Sequence, residues 1–107
     1  MKTLVPGHEY ILQSFGGLKE CRITFVDKGH GNDRPGTNTQ ELLRVAIDRV
    51  TSMDKELPWD GNNKILFHLR AALVLFEARH LERLVERGEL DPEKVATGLD
   101  GHFSLSI

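Results

Sequence analysis

The sequence predicts an α+β fold in which an N-terminal β-hairpin packs on a C-terminal antiparallel two-helix hairpin, and it predicts that the chain is oligomeric. Two short segments rich in aromatic and β-branched residues flank Gly16, which indicates the β-hairpin. Two long segments of helical periodicity follow, and residues 57–62 between them contain Pro58 and Gly61, which favours a tight helical turn. The second helical segment is apolar on two faces, and this pattern favours self-association.

Composition and charge are typical of one soluble domain. The 107 residues include 14 Lys and Arg against 16 Asp and Glu, and the net charge of −2 argues against binding to DNA or RNA polymers. No apolar run approaches the roughly 20 residues of a membrane span, so we expect no membrane association. One cysteine and a start without the apolar core of a signal peptide favour a cytoplasmic location. We expect a β-hairpin and connector (residues 1–36), a helical hairpin (37–90) and a tail (91–107) within this single domain.

Residues 8–15 and 20–26 are the predicted strands of the β-hairpin. In the second strand Cys21, Ile23 and Phe25 alternate with polar residues, so we expect these three side chains on one buried face. Residues 27–37 are rich in glycine and charge and have no periodicity, which predicts an exposed connector.

The first helix is predicted to begin at Asn38 and to end near Glu56. Asn38 is a candidate N-cap, and Glu41 stands three residues later, where the acid of a capping box belongs. Arg44 is expected to point away from the apolar face, together with Asp48 and Thr51. The residues expected on that face are Leu42, Leu43, Ala46, Ile47, Val50 and Met53.

The second helix, from about Asn63 to Arg87, has two apolar stripes. The first consists of Ile65, Leu69, Ala72, Leu73 and Phe76, and the second of Phe67, Ala71, Val74, Leu75, Ala78, Leu81 and Val85. One neighbouring helix covers only one stripe, so the second requires a cover, which is either the β-hairpin or another copy of the chain. After this helix, residues 91–96 begin with Asp-Pro, which predicts one short helical turn.

Arginines replace the apolar residues toward the end of the second helix. Arg79, Arg83 and, somewhat rotated, Arg87 continue the first stripe. One interpretation is a solvated helix end, where arginine meets the negative end of the helix dipole and Glu82 and Glu86 are close enough to pair. The other is an anion pocket, because the guanidinium group binds phosphate with two parallel hydrogen bonds and stacks on purine rings.

Other chemistry-bearing residues show no pattern of a catalytic or metal site. The five histidines lack the close spacing of zinc ligands, and Cys21 is expected in the core of the sheet. Trp59 is either a lid on the core or a stacking platform for a base. We therefore expect no metal, no cofactor and no catalysis.

The order of several segments resembles the phage Thoeris anti-defence sponge family, whose helical hairpin is shared with anti-CBASS sponges. The resemblance covers almost the whole chain and is carried by YILQSF, CRITFVDK, GTNTQELLRVAIDRV, LPWDGNN, HLRAALVLFEARHLER and GLDGHF. The motifs within these segments are Thr39-Gln40-Glu41, Ile47-Asp48-Arg49, Pro58 with Asn62, and Arg79-His80-Leu81-Glu82-Arg83.

The resemblance implies a viral protein that binds and sequesters cyclic nucleotide second messengers in the cytoplasm of an infected bacterium, without catalysis. The implied ligands are glycocyclic ADP-ribose and cyclic di- or trinucleotides, held in pockets between protomers of a dimer that assembles further into a hexamer, a trimer of dimers. Relatives have an aromatic ring near positions 52 and 53, where this chain has none, so base stacking falls to Met53 or Trp59. Beyond the resemblance, we expect Lys28 or Arg34 from the exposed connector of a neighbouring copy to complete the pocket. The expected ligand-binding residues are Arg79, Arg83, Asn62, Met53, Trp59, Lys28 and Arg34.

A protein-interaction module is the alternative. In that case the second stripe docks on a host or phage protein, and the arginines only solubilise the helix.

Overall fold

A three-stranded antiparallel sheet begins the chain in the computed structural model, which describes residues 1–17, 19–29, 31, 33–88, 95–97 and 103–105. The strands are β1 (Lys2–Val5), β2 (Glu9–Leu12) and β3 (Cys21–Thr24), and they lie side by side in chain order. The three strands and the helices that follow them confirm the α+β class.

The predicted β-hairpin is confirmed as β2 and β3, which pair from Leu12↔Cys21 to Glu9↔Thr24. Gly16 and Gly17, between the two strands, have φ angles of 72° and 87°, a conformation that glycine adopts without steric cost. The sequence analysis missed β1, which pairs with β2 across a turn at Gly7, where φ is 79°.

The side chains of β3 are less buried than predicted. Cys21 and Ile23 alternate with the exposed Arg22 as expected, but both are only half-buried. Phe25, just after the strand, packs edge-on against Tyr10 with the ring centroids 6.0 Å apart. The apolar face of β3 is therefore only partly buried.

Backbone hydrogen bonds within the connector and from its end to β3 hold it in place, which the sequence did not predict. Asp27 and Arg34 exchange two backbone hydrogen bonds of 2.8 and 3.1 Å, and the backbone N–H of Thr37 donates to the carbonyl of Thr24 at 2.8 Å. The side chains of Lys28 and Arg34 are nevertheless exposed, as an exposed connector predicts.

The two helices confirm the helical hairpin. They are α1 (Thr39–Glu56) and α2 (Gly61–Glu86). The predicted cap is confirmed, because Asn38 Oδ1 accepts a 2.8 Å hydrogen bond from the backbone N–H of Glu41. α2 ends before Gly88, whose φ of 71° breaks the helical conformation.

A small apolar cluster holds the hairpin together. Ile47, Leu66 and Leu73 are buried, and Leu73 is fully inaccessible to solvent. Leu43, Val50 and Leu69 pack against these three side chains. The sequence placed Ile65 and Met53 toward the core, but they are 40% and 36% exposed, and Leu66 is the buried residue that it missed.

Past α2 the structure describes two short strands, β4 (Val95–Thr97) and β5 (Phe103–Leu105), which pair antiparallel. The predicted helical turn at residues 91–96 is wrong at its last two positions, where β4 begins; residues 91–94 lie outside the described residues. The chain divides into two compact units, Met1–Glu41 and Leu42–Ile107. Neither of the described helices combines the length and the apolar composition needed to cross a membrane.

Candidate functional site

Two guanidinium groups project from the last part of α2. Arg79 and Arg83 lie about one helical turn apart, and both are exposed. Glu82 and Glu86 are exposed as well. Within the part of the chain that the structure describes, neither Arg79 nor Arg83 makes a side-chain hydrogen bond or an ion pair with these acids or with any other group. The donors of both arginines are therefore available to an anion.

The opposite end of α2 is fastened to α1 by Asp54. Its Oδ1 atom accepts a hydrogen bond of 2.8 Å from Asn62 Nδ2 and one of 3.2 Å from the backbone N–H of Trp59. The bond from the Asn62 side chain, with a smaller contribution from the Trp59 backbone, lowers the pKa of the Asp54 carboxyl below its ordinary value. Asn62 thus has a structural role at the turn, and its side-chain nitrogen is already engaged.

Trp59 lies on the surface beside the first turn of α2. It is 63% exposed, and its ring packs so closely against Gly61 that any side chain at that position would overlap with it. The exposure of the indole argues against a lid on the core, and its role as a stacking platform for a base stays a prediction. Met53, in the last turn of α1, is 36% exposed.

The predicted ligand-binding residues do not converge within one copy of the chain. Asn62 begins α2, whereas Arg79 stands roughly 25 Å further along the same helix axis at about 1.5 Å per residue. A small cyclic nucleotide cannot bridge that distance. A pocket that includes residues from both ends of α2 therefore requires two copies. Lys28 and Arg34 belong to the other compact unit, Met1–Glu41.

An ion pair inside the helical hairpin escaped the sequence analysis. Glu77 is buried to 7% exposure, and its Oε1 atom accepts a hydrogen bond from Arg44 Nη2. The prediction that Arg44 points away from α2 is thus wrong, because the long side chain reaches across the hairpin. Arg44 and Glu77 lie beyond the apolar cluster, on the side toward the end of the hairpin that carries Arg79 and Arg83.

A shallow depression of about 490 Å³ lies on the outward side of α1. It contains none of the predicted ligand-binding residues, and side chains of a single helix form it, so it is an open surface without walls from a second element. Its lining residues are Arg44, Val45, Asp48, Arg49 and Ser52.

Neither a metal cluster nor a known relative suggests another function. Among the described residues no three His, Cys, Asp or Glu side chains are close enough to hold a metal ion. Comparisons with protein-family models, with curated proteins and with solved structures find no match to the chain.

Proposed function

We propose that the chain is a non-catalytic sponge that binds and sequesters a cyclic nucleotide second messenger and thereby blocks bacterial immune signalling. The ligand class is glycocyclic ADP-ribose or a cyclic di- or trinucleotide, and the immunity that it blocks is of the Thoeris or CBASS type. The proposal places the protein in the cytoplasm of an infected bacterium and makes it an oligomer of one kind of chain.

The observation that carries the proposal is the pair of exposed arginines, Arg79 and Arg83, which have no side-chain partner within the described residues. Like charges about one turn apart on a helix repel each other, so an unpaired pair of arginines is mildly unfavourable until an anion binds. A cyclic dinucleotide or a cyclised ADP-ribose carries two phosphates on a closed ring. Each phosphate accepts charge-assisted hydrogen bonds from one guanidinium group.

The rest of the pocket is assigned to the turn residues of another copy. Trp59 offers an exposed indole on which a base stacks, and such stacking contributes about 1–3 kcal/mol per base. Asn62 keeps its carbonyl oxygen as an additional acceptor while its nitrogen holds Asp54. A ring-closed ligand loses little conformational entropy on capture, which suits a protein that must compete with an immune effector.

Titration calorimetry with Arg83→Ala tests the site. Each arginine–phosphate bond contributes about 1.5–3 kcal/mol, so we expect at least a tenfold loss of affinity for whichever of glycocyclic ADP-ribose, a cyclic dinucleotide or a cyclic trinucleotide the parent binds. Arg70→Ala is the matched control, because Arg70 is an exposed arginine on a different side of the same helix. Arg83→Lys should recover only part of the affinity, since lysine keeps the charge and lacks the fork of donors. Equal affinity of Arg83→Ala and the parent for every messenger would remove the pocket from this place.

A second function, protein–protein interaction, is favoured by the outward side chains of α2. Phe67 is 67% exposed and Leu75 is 71% exposed, and the two lie on the same side of α2, as apolar residues of an interaction surface do. Incubation of the purified protein with each messenger, followed by denaturation, separates the candidates. Release of intact messenger supports the sponge, release of fragments indicates an enzyme, and retention of no messenger favours the interaction module.

A further inference from the structure

The outward side of α2 carries large and small apolar residues in alternation along one line. Phe67, Ala71 and Leu75 succeed one another at intervals of four residues on the side opposite the buried Leu66 and Leu73, and all three are exposed. Ala78 continues the line half-buried. Charged residues flank it at each end, with Lys64 toward the beginning of α2 and Glu82 toward its end, and both are exposed. We call Lys64, Phe67, Ala71, Leu75, Ala78 and Glu82 the outer stripe.

When the outer stripe is laid antiparallel on a copy of itself, one register satisfies size and charge together. In that register Leu75 lies opposite Ala71 of the second copy, and Phe67 lies beside Ala78 of the second copy. Large side chains thus fill the spaces beside small ones, which is how helices pack at close range. The same register sets Lys64 opposite Glu82 of the second copy, twice by symmetry.

Neighbouring registers lose these matches. A shift of one turn in one direction sets Ala71 against Ala71 and brings Asp60 opposite Glu82, which leaves a gap between the helices and places two acids together. A shift in the other direction sets Leu75 against Leu75, where two large side chains compete for one space. Mismatched volumes disfavour both of these registers, and the two opposed acids disfavour the first one further.

We propose that the outer stripe of α2 binds the outer stripe of a second copy, antiparallel, in the register that pairs Leu75 with Ala71 and Lys64 with Glu82. The partner is a second copy of this chain, because the stripe is complementary to itself in both size and charge. A contact of this kind is isologous, so a two-fold axis relates the copies and closes the dimer.

This register completes the ligand site, and that part of the inference rests on the proposed function. Arg79 lies roughly five turns after Gly61, so at about 3.6 residues per turn Arg79 is on the side of α2 against which the Trp59 ring packs. In an antiparallel pair related by a two-fold axis perpendicular to both helices, this side of each helix faces the same way. Arg83 then stands within about one turn of the level of Trp59 from the second copy, and the cleft between them offers guanidinium donors on one wall and an indole on the other.

The test is a charge exchange followed by sedimentation equilibrium of the full chain. Lys64→Glu and Glu82→Lys should each weaken the dimer by about tenfold or more, since each places two like-charged pairs in the interface. The double variant Lys64→Glu with Glu82→Lys restores opposite charges and should recover the parent dimerisation constant to within a few fold. Leu75→Glu should give monomers, whereas Val45→Glu, at a position 65% exposed on the outward side of α1, should leave the dimer unchanged.

A parent chain that stays monomeric at 100 µM would overturn the pairing, and so would a double variant that dimerises no better than the single variants. The proposed function fails separately. A dimer with the expected charge exchange that binds none of the three messengers leaves the pairing standing and removes the sponge. A monomer that binds messenger with parent affinity after Leu75→Glu keeps the sponge and removes the shared cleft.

Discussion

The two helices of the hairpin both contribute apolar residues to the core on their inner sides, but they differ in the polarity of their outer sides. Toward the core, α1 contributes Ile47 and α2 contributes Leu66 and Leu73. Away from the core, α1 carries mainly polar residues around Val45, whereas α2 exposes the large apolar side chains of its outer stripe. The large apolar side chains at the surface of the hairpin are thus more exposed on α2, where Phe67 and Leu75 are 67% and 71% exposed.

The contrast shows that the burial of a helix within one copy of the chain does not account for all of its apolar surface. A helix with a single neighbour needs one apolar side, and α1 conforms to this rule. The additional apolar side of α2 leaves Phe67 and Leu75 exposed to water, and neighbouring exposed apolar residues are a feature of interaction surfaces.

Two leucines of α2 give the largest expected difference between its sides. Leu73→Ala removes the only fully buried side chain among the described residues and should lower the free energy of unfolding by about 2–5 kcal/mol. Leu75→Ala, two positions further on and 71% exposed, should change it by less than about 0.5 kcal/mol at concentrations where the chain is monomeric. Urea unfolding followed by circular dichroism measures both. Similar losses for the two variants would show that the outer stripe is covered within one copy.

The ion pair between the helices should give an intermediate effect. Glu77→Leu removes the carboxylate that Arg44 binds and should cost about 2 kcal/mol, less than for a sealed pair because the Arg44 side chain is 26% exposed. Replacing both residues, as Arg44→Met with Glu77→Leu, should recover most of the loss, since apolar residues of similar volume pack well there. A double variant as unstable as Glu77→Leu alone would show that Glu77 acts through other contacts. Thermal unfolding of the parent and the two variants provides the comparison.

The smallest effect is expected at the turn that joins the helices. Because the hydrogen bond from Asn62 lowers the folded-state pKa of Asp54, the carboxylate stabilises the fold above the ordinary aspartate pKa, and this contribution is lost as pH falls through the lower folded value. Unfolding measured between pH 2 and pH 6 should therefore lose stability with acid more steeply for the parent than for Asp54→Asn. Parallel curves for the two proteins would contradict the assignment.

Local signals predicted the helical half of the fold well. Asn38, placed by its capping pattern, does cap α1, and the break at residues 57–62 does separate the helices, because both features depend on neighbours a few positions away. β1 escaped prediction because Lys2–Val5 shows no alternation of apolar and polar residues, and its pairing with β2 stabilises it as a strand. The strand at Val95–Thr97 was hidden for the same reason, since it depends on a partner several residues later.

The candidate site likewise contains features that local sequence signals predicted and features that they did not. The pair of arginines on one side of α2 followed from spacing alone, and the structure places both in solvent. The role of Asn62 did not follow, because its bond to Asp54 is set by the way the turn folds back on α1. The pairing of Arg44 with Glu77 did not follow from the sequence either. A helical wheel places charged residues on the outer side of a helix and contains no information on the residues of the neighbouring helix.

The position of Trp59 has a practical consequence. It is the sole tryptophan of the chain, and its ring rests on a glycine at the surface with more than half of it in water. Indole emission responds to changes in solvent contact and to nearby stacked bases, so this residue is a built-in fluorescent reporter at the edge of the proposed cleft. Arrival of either a messenger or a second copy of the chain can therefore be followed in real time without a label.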